Sequence, residues 1–175
     1  MRCVSAALAL AIVYALPAAA QDALLEYRVK AAYLFNFTKF IDWPPGAISD
    51  GAPFTICVAG ANPLASALED TIRGETVAGR SLQSRVAQGN EPCQVLFVPH
   101  DVDAVPILKR ARMQPVLTVG ESPDFLRQGG IINFVRDGGK VRFEISQEAA
   151  MRAQLRISSR LLRLARDPAE RGAER

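Results

Sequence analysis

The chain has 175 residues, of which 49% are hydrophobic and 22% charged, and its formal net charge is +3. So small an excess of basic residues does not predict nucleic-acid binding. The length suffices for one domain with a full hydrophobic core but not comfortably for two, so we expect a single domain.

The amino terminus has the pattern of an export signal. Arg2 precedes an apolar run over residues 4–16, and three alanines, Ala18–Ala20, come before the first polar residues. This order predicts a secretory signal peptide over residues 1–20, cut after Ala20. The residue directly after the cut is Gln21 and not a cysteine, which argues against lipoprotein processing. No later run approaches the roughly 20 apolar residues of a membrane span. We therefore expect an exported, soluble protein.

The first predicted helix of the mature chain is apolar nearly all round and ends near Asp42, because Pro44 and Pro45 cannot continue it. At about 100° per residue, one broad face is expected to meet the core. That face carries Leu25, Val29, Ala32, Tyr33, Asn36, Phe37 and Phe40. The far side carries Tyr27, Leu34 and Phe35. Two interpretations stay open: a central helix covered by its own domain, or one whose far side binds a partner or a second copy.

Continuous apolar strands are predicted for residues 53–59, 93–98 and 115–119, and such strands are typical of the centre of a parallel sheet. Helices are predicted between them, over residues 62–73 and 101–112. One or two further strand segments are expected near residues 76–87, and a short helical turn is expected to end at Leu126.

The last part of the chain predicts a hairpin and a helix. Strands over 131–136 and 140–145 flank the turn signal Asp137-Gly138-Gly139. A helix is predicted over 146–166, because apolar and basic residues separate onto two faces. Its apolar stripe consists of Ala150, Ala153, Ile157, Leu161 and Leu164. The basic face is expected to be solvated, with docking to an acidic partner or to anionic headgroups as the alternative.

Together these elements predict an α/β fold with three layers: a mainly parallel sheet flanked by helices, with a C-terminal antiparallel hairpin and a terminal helix. The domain is expected to cover residues 21–168. Residues 169–175 are polar and are expected to form a disordered tail.

Two cysteines, Cys57 and Cys93, remain once Cys3 leaves with the signal peptide. An even pair in an exported chain predicts a disulfide bridge. Two separate buried thiols are the alternative. A zinc site is disfavoured, because two cysteines and one distant histidine cannot supply four ligands, and we expect no bound metal or cofactor.

No residue set predicts catalysis. His100 has no recognisable nucleophile or second base beside it, and Ser158-Ser159 lacks the flanking glycines of a nucleophile elbow. The ends of the parallel strands are nevertheless expected to gather at one edge of the sheet, where a small ligand can bind. The candidate residues there are Asn62, His100 and Glu121. Ordinary turn chemistry is the alternative.

Four segments resemble the YfiR family of exported bacterial proteins. They are YRVKAAYLFNFTKFIDWP at 27–44, CQVLFV at 93–98, GGIINFVRDGGKVRFEIS at 129–146 and LRISSRLLRLAR at 155–166. The resemblance covers essentially the whole mature chain, and several ordered segments agree. It implies a periplasmic α/β domain, commonly dimeric and without catalytic activity.

The best-known member of that family represses a membrane-bound diguanylate cyclase through its periplasmic sensor region, which lowers cyclic di-GMP and biofilm formation. Cys57 and Cys93 match one disulfide pair of the family. Some members carry a second pair near the segment that corresponds here to 129–143. This chain has no cysteine there, so a redox switch that relies on the second bridge is in doubt.

We draw two functional hypotheses. The first is a non-enzymatic periplasmic repressor that binds the sensor domain of an inner-membrane diguanylate cyclase or sensor kinase, with Tyr27, Leu34 and Phe35 as contacts. The second is a periplasmic sensor that binds a nucleotide or an amino acid at the strand ends.

Overall fold

The computed structural model describes residues 18–88 and 92–167. The predicted signal peptide therefore lies almost wholly outside the described residues, as does the predicted tail. The helices are α1 (Ala18–Thr38), α2 (Leu64–Ile72), α3 (Ala104–Ala111), α4 (Gln147–Arg152) and α5 (Ser159–Leu162). The strands are β1 (Ile41–Asp42), β2 (Phe54–Ala59), β3 (Thr76–Val77), β4 (Arg80–Ala87), β5 (Val95–Val98), β6 (Leu117–Gly120), β7 (Ile132–Asp137), β8 (Lys140–Ile145) and β9 (Arg156–Ile157).

Seven strands form one sheet in the order β3-β4-β2-β5-β6-β7-β8. Its five central strands are parallel, while β3 and β8 pair antiparallel at the two edges. β7 and β8 are joined by a tight turn at Gly138 and Gly139, both of which have positive φ. The mainly parallel α/β sheet and its C-terminal hairpin are thus confirmed.

Side chains alternate between the two faces of the sheet, and each face has its own core. Phe54, Ile56 and Val58 of β2 belong to the larger cluster, which includes the buried residues of α1 and α2. On the opposite face, Ala59 and Val98 pack with α3 and with Phe125. The helices therefore form layers on both sides of the sheet.

Helix α1 buries mainly the side predicted to lie away from the core, although Phe37 is buried as predicted. Leu34 is fully buried and Phe35 is 8% exposed, whereas Leu25 is 61% exposed. Of the two interpretations left open, the structure agrees with a central helix covered by its own domain, and Leu34 and Phe35 are not exposed for contact with a partner. Because the helix is apolar nearly all round, periodicity alone does not choose a face. Packing decides it: Leu34 and Phe35 lie in one buried cluster with the buried residues of α2.

The same helix ends four residues earlier than predicted, at Thr38. The next residues make a turn in which the Phe40 amide donates to the Phe37 carbonyl. Ile41 and Asp42 then pair with β9. This small second sheet takes up residues that were predicted to be helical.

The long terminal helix over 146–166 is also wrong. Helix α4 stops because Gln154 adopts a positive φ of 58°, and Leu155 turns inward to a buried position. Strand β9 follows, and then α5, whose first turn is capped by Ser158. The local helical pattern is outweighed by the pairing of β9 with β1 and by the burial of Leu155. Leu164, which belongs to the predicted apolar stripe, is left 63% exposed.

The predicted disulfide is present. Cys57 lies in β2 and Cys93 just before the adjacent strand β5, with 5.8 Å between their Cα atoms. Both residues are buried. The bridge joins two neighbouring central strands.

Candidate functional site

A cleft of about 930 Å³ opens between the amino-terminal half of α1 and the carboxyl edge of the parallel strands. One wall comes from the helix and another from the turn after β6, and β7 contributes the floor. The cleft is lined by Ala23, Glu26, Tyr27, Lys30, His100, Glu121, Pro123, Asp124, Leu126, Arg127, Asn133, Phe134, Val135, Arg136 and Val141. Its size is within the range of small-molecule sites.

The turn after β6 is held in place by Phe125, which is fully buried. Its ring lies between Gly120 and Gly130, where a Cβ atom on either glycine would overlap the ring. The two glycines thus let this wall approach the sheet closely. Leu126 and Arg127 of the same turn then face the cleft.

Charged side chains in the cleft form one connected cluster around Lys30. Its Nζ lies 2.5 Å from Glu26 Oε1 and 2.5 Å from Glu121 Oε2. Glu26 also pairs with Arg136 of β7. His100 lies at the rim, with its backbone N–H donating to Glu121 Oε1 at 3.2 Å. The cluster ties the first helix to the ends of β6 and β7.

The cluster shifts two pKa values. Desolvation by burial pushes the pKa of Glu26 upward, but hydrogen bonds and charge from Lys30 and Arg136 outweigh it, so the pKa lies below its ordinary value of 4.5. Desolvation likewise lowers the pKa of Lys30, but its hydrogen bonds to Glu121 and Glu26 leave it raised above 10.5. Both groups are therefore charged near neutral pH.

Asn133 is a buried polar residue that lines the same cleft. Its side chain is 1% exposed, and its Oδ1 is one of few buried side-chain atoms in the described part of the chain without a hydrogen-bond partner. A buried acceptor without a donor is costly in free energy. Beyond Asn133, β7 continues past the end of β6 and pairs only with β8.

The structure brings together two of the three predicted ligand residues. His100 and Glu121 both line the cleft, whereas Asn62 is not among the described residues that do. Asn62 instead caps α2, with its Oδ1 accepting from the Leu64 N–H at 2.9 Å. Of the predicted partner contacts, Tyr27 lines the cleft and is half-buried.

Sequence reasoning missed Lys30, Glu26, Asn133 and Arg136. The spacing of Glu26 and Lys30, four apart on a helix, was a usable signal for an ion pair. Asn133 was visible as a polar residue inside an apolar strand. No local pattern connected the pair of Glu26 and Lys30 to Glu121, which lies 91 residues from Lys30 in the sequence.

Among the described residues that line the cleft, none is a serine, threonine or cysteine. No group of three metal-ligating side chains is found within residues 18–88 and 92–167. What the cleft offers is paired charges and apolar surface, which suits binding.

A second feature lies on the outer side of α1. We call Leu24, Leu25 and Val29 the aliphatic strip; they are 53%, 61% and 36% exposed. The strip and the cleft wall are formed by the same turns of helix. Within the described chain, no helix is long and apolar enough to cross a membrane.

The fold and the site define an α/β domain with a binding cleft and an exposed aliphatic helix face. A family model described as YfiR/HmsC-like matches residues 27–166. The chain therefore belongs to the YfiR/HmsC-like family, which suggests a periplasmic regulator of diguanylate cyclase signalling. A search of curated proteins found no match to the chain.

Proposed function

We propose that this protein is a non-enzymatic periplasmic regulator that binds and represses the periplasmic sensor domain of an inner-membrane signalling protein. The partner we propose is a diguanylate cyclase, so that repression lowers cyclic di-GMP and restrains biofilm formation. Family membership over residues 27–166 supports the class of function. The proposal includes export by a signal peptide cut after Ala20.

The observation that carries the docking mechanism is the aliphatic strip of Leu24, Leu25 and Val29. Exposed aliphatic side chains that adjoin one another on a helix are typical of protein contact sites. Burying each of them against a partner would contribute about 1.5–3 kcal/mol. Three side chains make a small patch, which suits a reversible, regulated contact better than a permanent one.

The strip replaces Leu34 and Phe35 as the proposed contact. Those two side chains lie in the interior of the domain. Lys39 further covers Phe35, with its Nζ 3.8 Å from the ring centroid. A partner reaching Phe35 would have to displace this lysine and open the core.

The function is tested by deletion and complementation in the bacterium that carries the gene. We expect deletion to raise cyclic di-GMP and biofilm mass, and the full-length gene to restore both. A version lacking residues 2–20 should be made but should not restore them, because it stays in the cytoplasm. Unchanged cyclic di-GMP after deletion would exclude a diguanylate cyclase as the partner.

A second candidate function is ligand sensing at the cleft. The cleft itself favours it, because Tyr27, His100 and Glu121 line a cavity of about 930 Å³, a size that suits a small molecule. Ligand binding and partner binding are compatible, since α1 contributes to both surfaces. Thermal shift of the purified protein against small molecules tests this function separately from repression.

A further inference from the structure

We propose that the partner contributes an α-helix, which packs along the outer face of α1 and places a carboxylate beside Arg28. This inference rests on the proposed function, docking through the aliphatic strip. It goes further because it names the element and the charge that the partner brings, and because it extends the contact to Arg28, Ala32 and Asn36.

The outer face of α1 carries a row of side chains at the spacing of a helix–helix contact. This outer row consists of Leu25, Val29, Ala32 and Asn36. All four are exposed, and they follow one another at intervals of four, three and four residues. At about 100° per residue they lie within about 60° of one another around the helix, in a row about 16 Å long. A second helix has the same spacing and can pack along the row, whereas the side chains of a strand recur on one face only every 7 Å or about that.

Ala32 lies near the middle of this face and has its smallest side chain. It is exposed, whereas its neighbour Ala31 is fully buried. A small side chain between Val29 and Asn36 leaves a notch in the outer row, and a larger side chain of a second helix fits there as a knob fits a hole. Such a notch lets two helix axes approach to about 8 Å, the lower end of the range for packed helices.

Arg28 is an exposed cation beside the outer row, about 40° from Ala32 around the helix. Its neighbours at three and four residues along α1 are all uncharged: Leu24, Leu25, Ala31 and Ala32. Glu26 is turned to the cleft, where it pairs with Lys30 and Arg136. Within the described part of the chain Arg28 has no carboxylate partner. A carboxylate on the docking helix complements this charge at the rim of the contact, where such a pair sets orientation and association rate.

The test of the notch measures, by calorimetry, the affinity of the purified protein for the periplasmic domain of the proposed diguanylate cyclase. Ala32→Trp fills the notch and should weaken binding at least tenfold, which corresponds to about 1.4 kcal/mol. The matched control is Ser66→Trp, which adds the same ring to an exposed position of α2 and should bind as the native chain does. Thermal unfolding shows whether both variants keep the fold. Should Ala32→Trp fail to fold, Ala32→Gln, which a helix tolerates well, asks the same question.

The test of the charge uses Arg28→Glu in the same measurement. Binding should weaken about tenfold at about 0.1 M salt, and most of the difference from the native chain should vanish at about 1 M salt, where the Debye length is about 3 Å. Lys109→Glu on α3 makes the same change of net charge and should have little effect. A loss that salt does not reduce, or an equal loss in Lys109→Glu, would overturn the carboxylate contact.

The outcomes separate this inference from the function on which it rests. Unchanged binding by folded Ala32→Trp, together with weakened binding by Leu25→Glu/Val29→Glu, would overturn the docking helix and leave the aliphatic strip as the contact. A native chain that elutes as a dimer while Ala32→Trp elutes as a monomer would also overturn it, because a second copy would then occupy the face. No binding by the native chain would reject the proposed partner and this inference together.

Discussion

Lys30 Nζ lies 2.5 Å from Glu121 Oε2 and thereby joins the first helix to the end of strand β6 across 91 residues of sequence. Both side chains are about nine-tenths buried. A buried charge is tolerated when its partners surround it, and here Glu26 supplies the second partner of Lys30. The position of the helix wall of the cleft therefore depends on this cluster.

Replacing Lys30 by methionine should destabilise the fold by about 3 kcal/mol, because it leaves Glu121 buried without its cation. The double variant Lys30→Met/Glu121→Gln should recover part of that loss. The measurement is the free energy of unfolding from urea titration at neutral pH.

The matched control for Lys30 is the exposed pair Arg73–Asp70, whose side chains are 71% and 68% exposed. Arg73→Ala should cost less than about 1 kcal/mol, because water screens the pair. If Lys30→Met lowered the free energy of unfolding by no more than this control, the charged cluster would not be what fixes the position of α1.

Stability should fall at acid pH through Glu26. Its pKa in the folded protein lies below the ordinary value of 4.5, chiefly because hydrogen bonds to Lys30 and Arg136 outweigh desolvation. A lowered pKa adds stability that is fully present above pH 4.5 and is lost as the pH falls through the folded value. The difference in unfolding free energy between the native chain and Glu26→Gln should therefore shrink below pH 4.5. A difference that stayed constant down to pH 2.5 would contradict the assigned pairing.

Phe35 and Leu25 should respond to truncation in opposite ways. Phe35→Ala removes a buried ring and should cost about 3 kcal/mol of stability. Leu25→Ala removes an exposed side chain and should change stability by less than about 0.5 kcal/mol. Thermal and urea unfolding of the two variants distinguishes them, and equal costs would mean that the face of α1 is wrongly placed.

Loss of the bridge between Cys57 and Cys93 should destabilise the protein. The bridge closes a loop with a sequence separation of 36, and opening such a loop costs about 4 kcal/mol in the chain-entropy estimate. The variant Cys57→Ala/Cys93→Ala should show this loss in urea unfolding. Thiol labelling of the native exported protein should find neither cysteine free, and full labelling before reduction would reject the bridge.

The sheet could be predicted from sequence because its signals are local. Residues 54–59 and 95–98 form strands within continuous apolar runs, and glycines mark the turn between β7 and β8. Alternation and turn chemistry act over a few residues, so they can be recognised without knowing the fold. His100 and Glu121 were predicted as neighbours because parallel strands end at one edge of the sheet.

The orientation of α1 and the break after Ala153 could not be predicted in this way. A helix that is apolar nearly all round fits either face to the core, and only its packing against α2, which buries Leu34 and Phe35, decides between them. The break depends on β1, which offers a strand partner to Ile157. The contact of Lys30 with Glu121 is likewise long-range, so no local pattern reports it.

The aliphatic strip should be necessary for partner binding and unnecessary for folding. The double variant Leu25→Glu/Val29→Glu places charge on the strip, and Met113→Glu is the matched control, because Met113 is 78% exposed and lies just after α3. Thermal unfolding of all three proteins shows whether the fold is kept. Size-exclusion chromatography of the protein alone shows whether the strip instead joins two copies.

The most direct measurement is the affinity of the purified protein for the periplasmic domain of the inner-membrane diguanylate cyclase that we propose as its partner, determined by calorimetry. We predict that the native chain and Met113→Glu bind equally, and that Leu25→Glu/Val29→Glu binds at least tenfold more weakly while remaining folded, the loss expected when a contact of more than about 1.4 kcal/mol is removed. Undiminished binding by the folded double variant would contradict docking through the first helix.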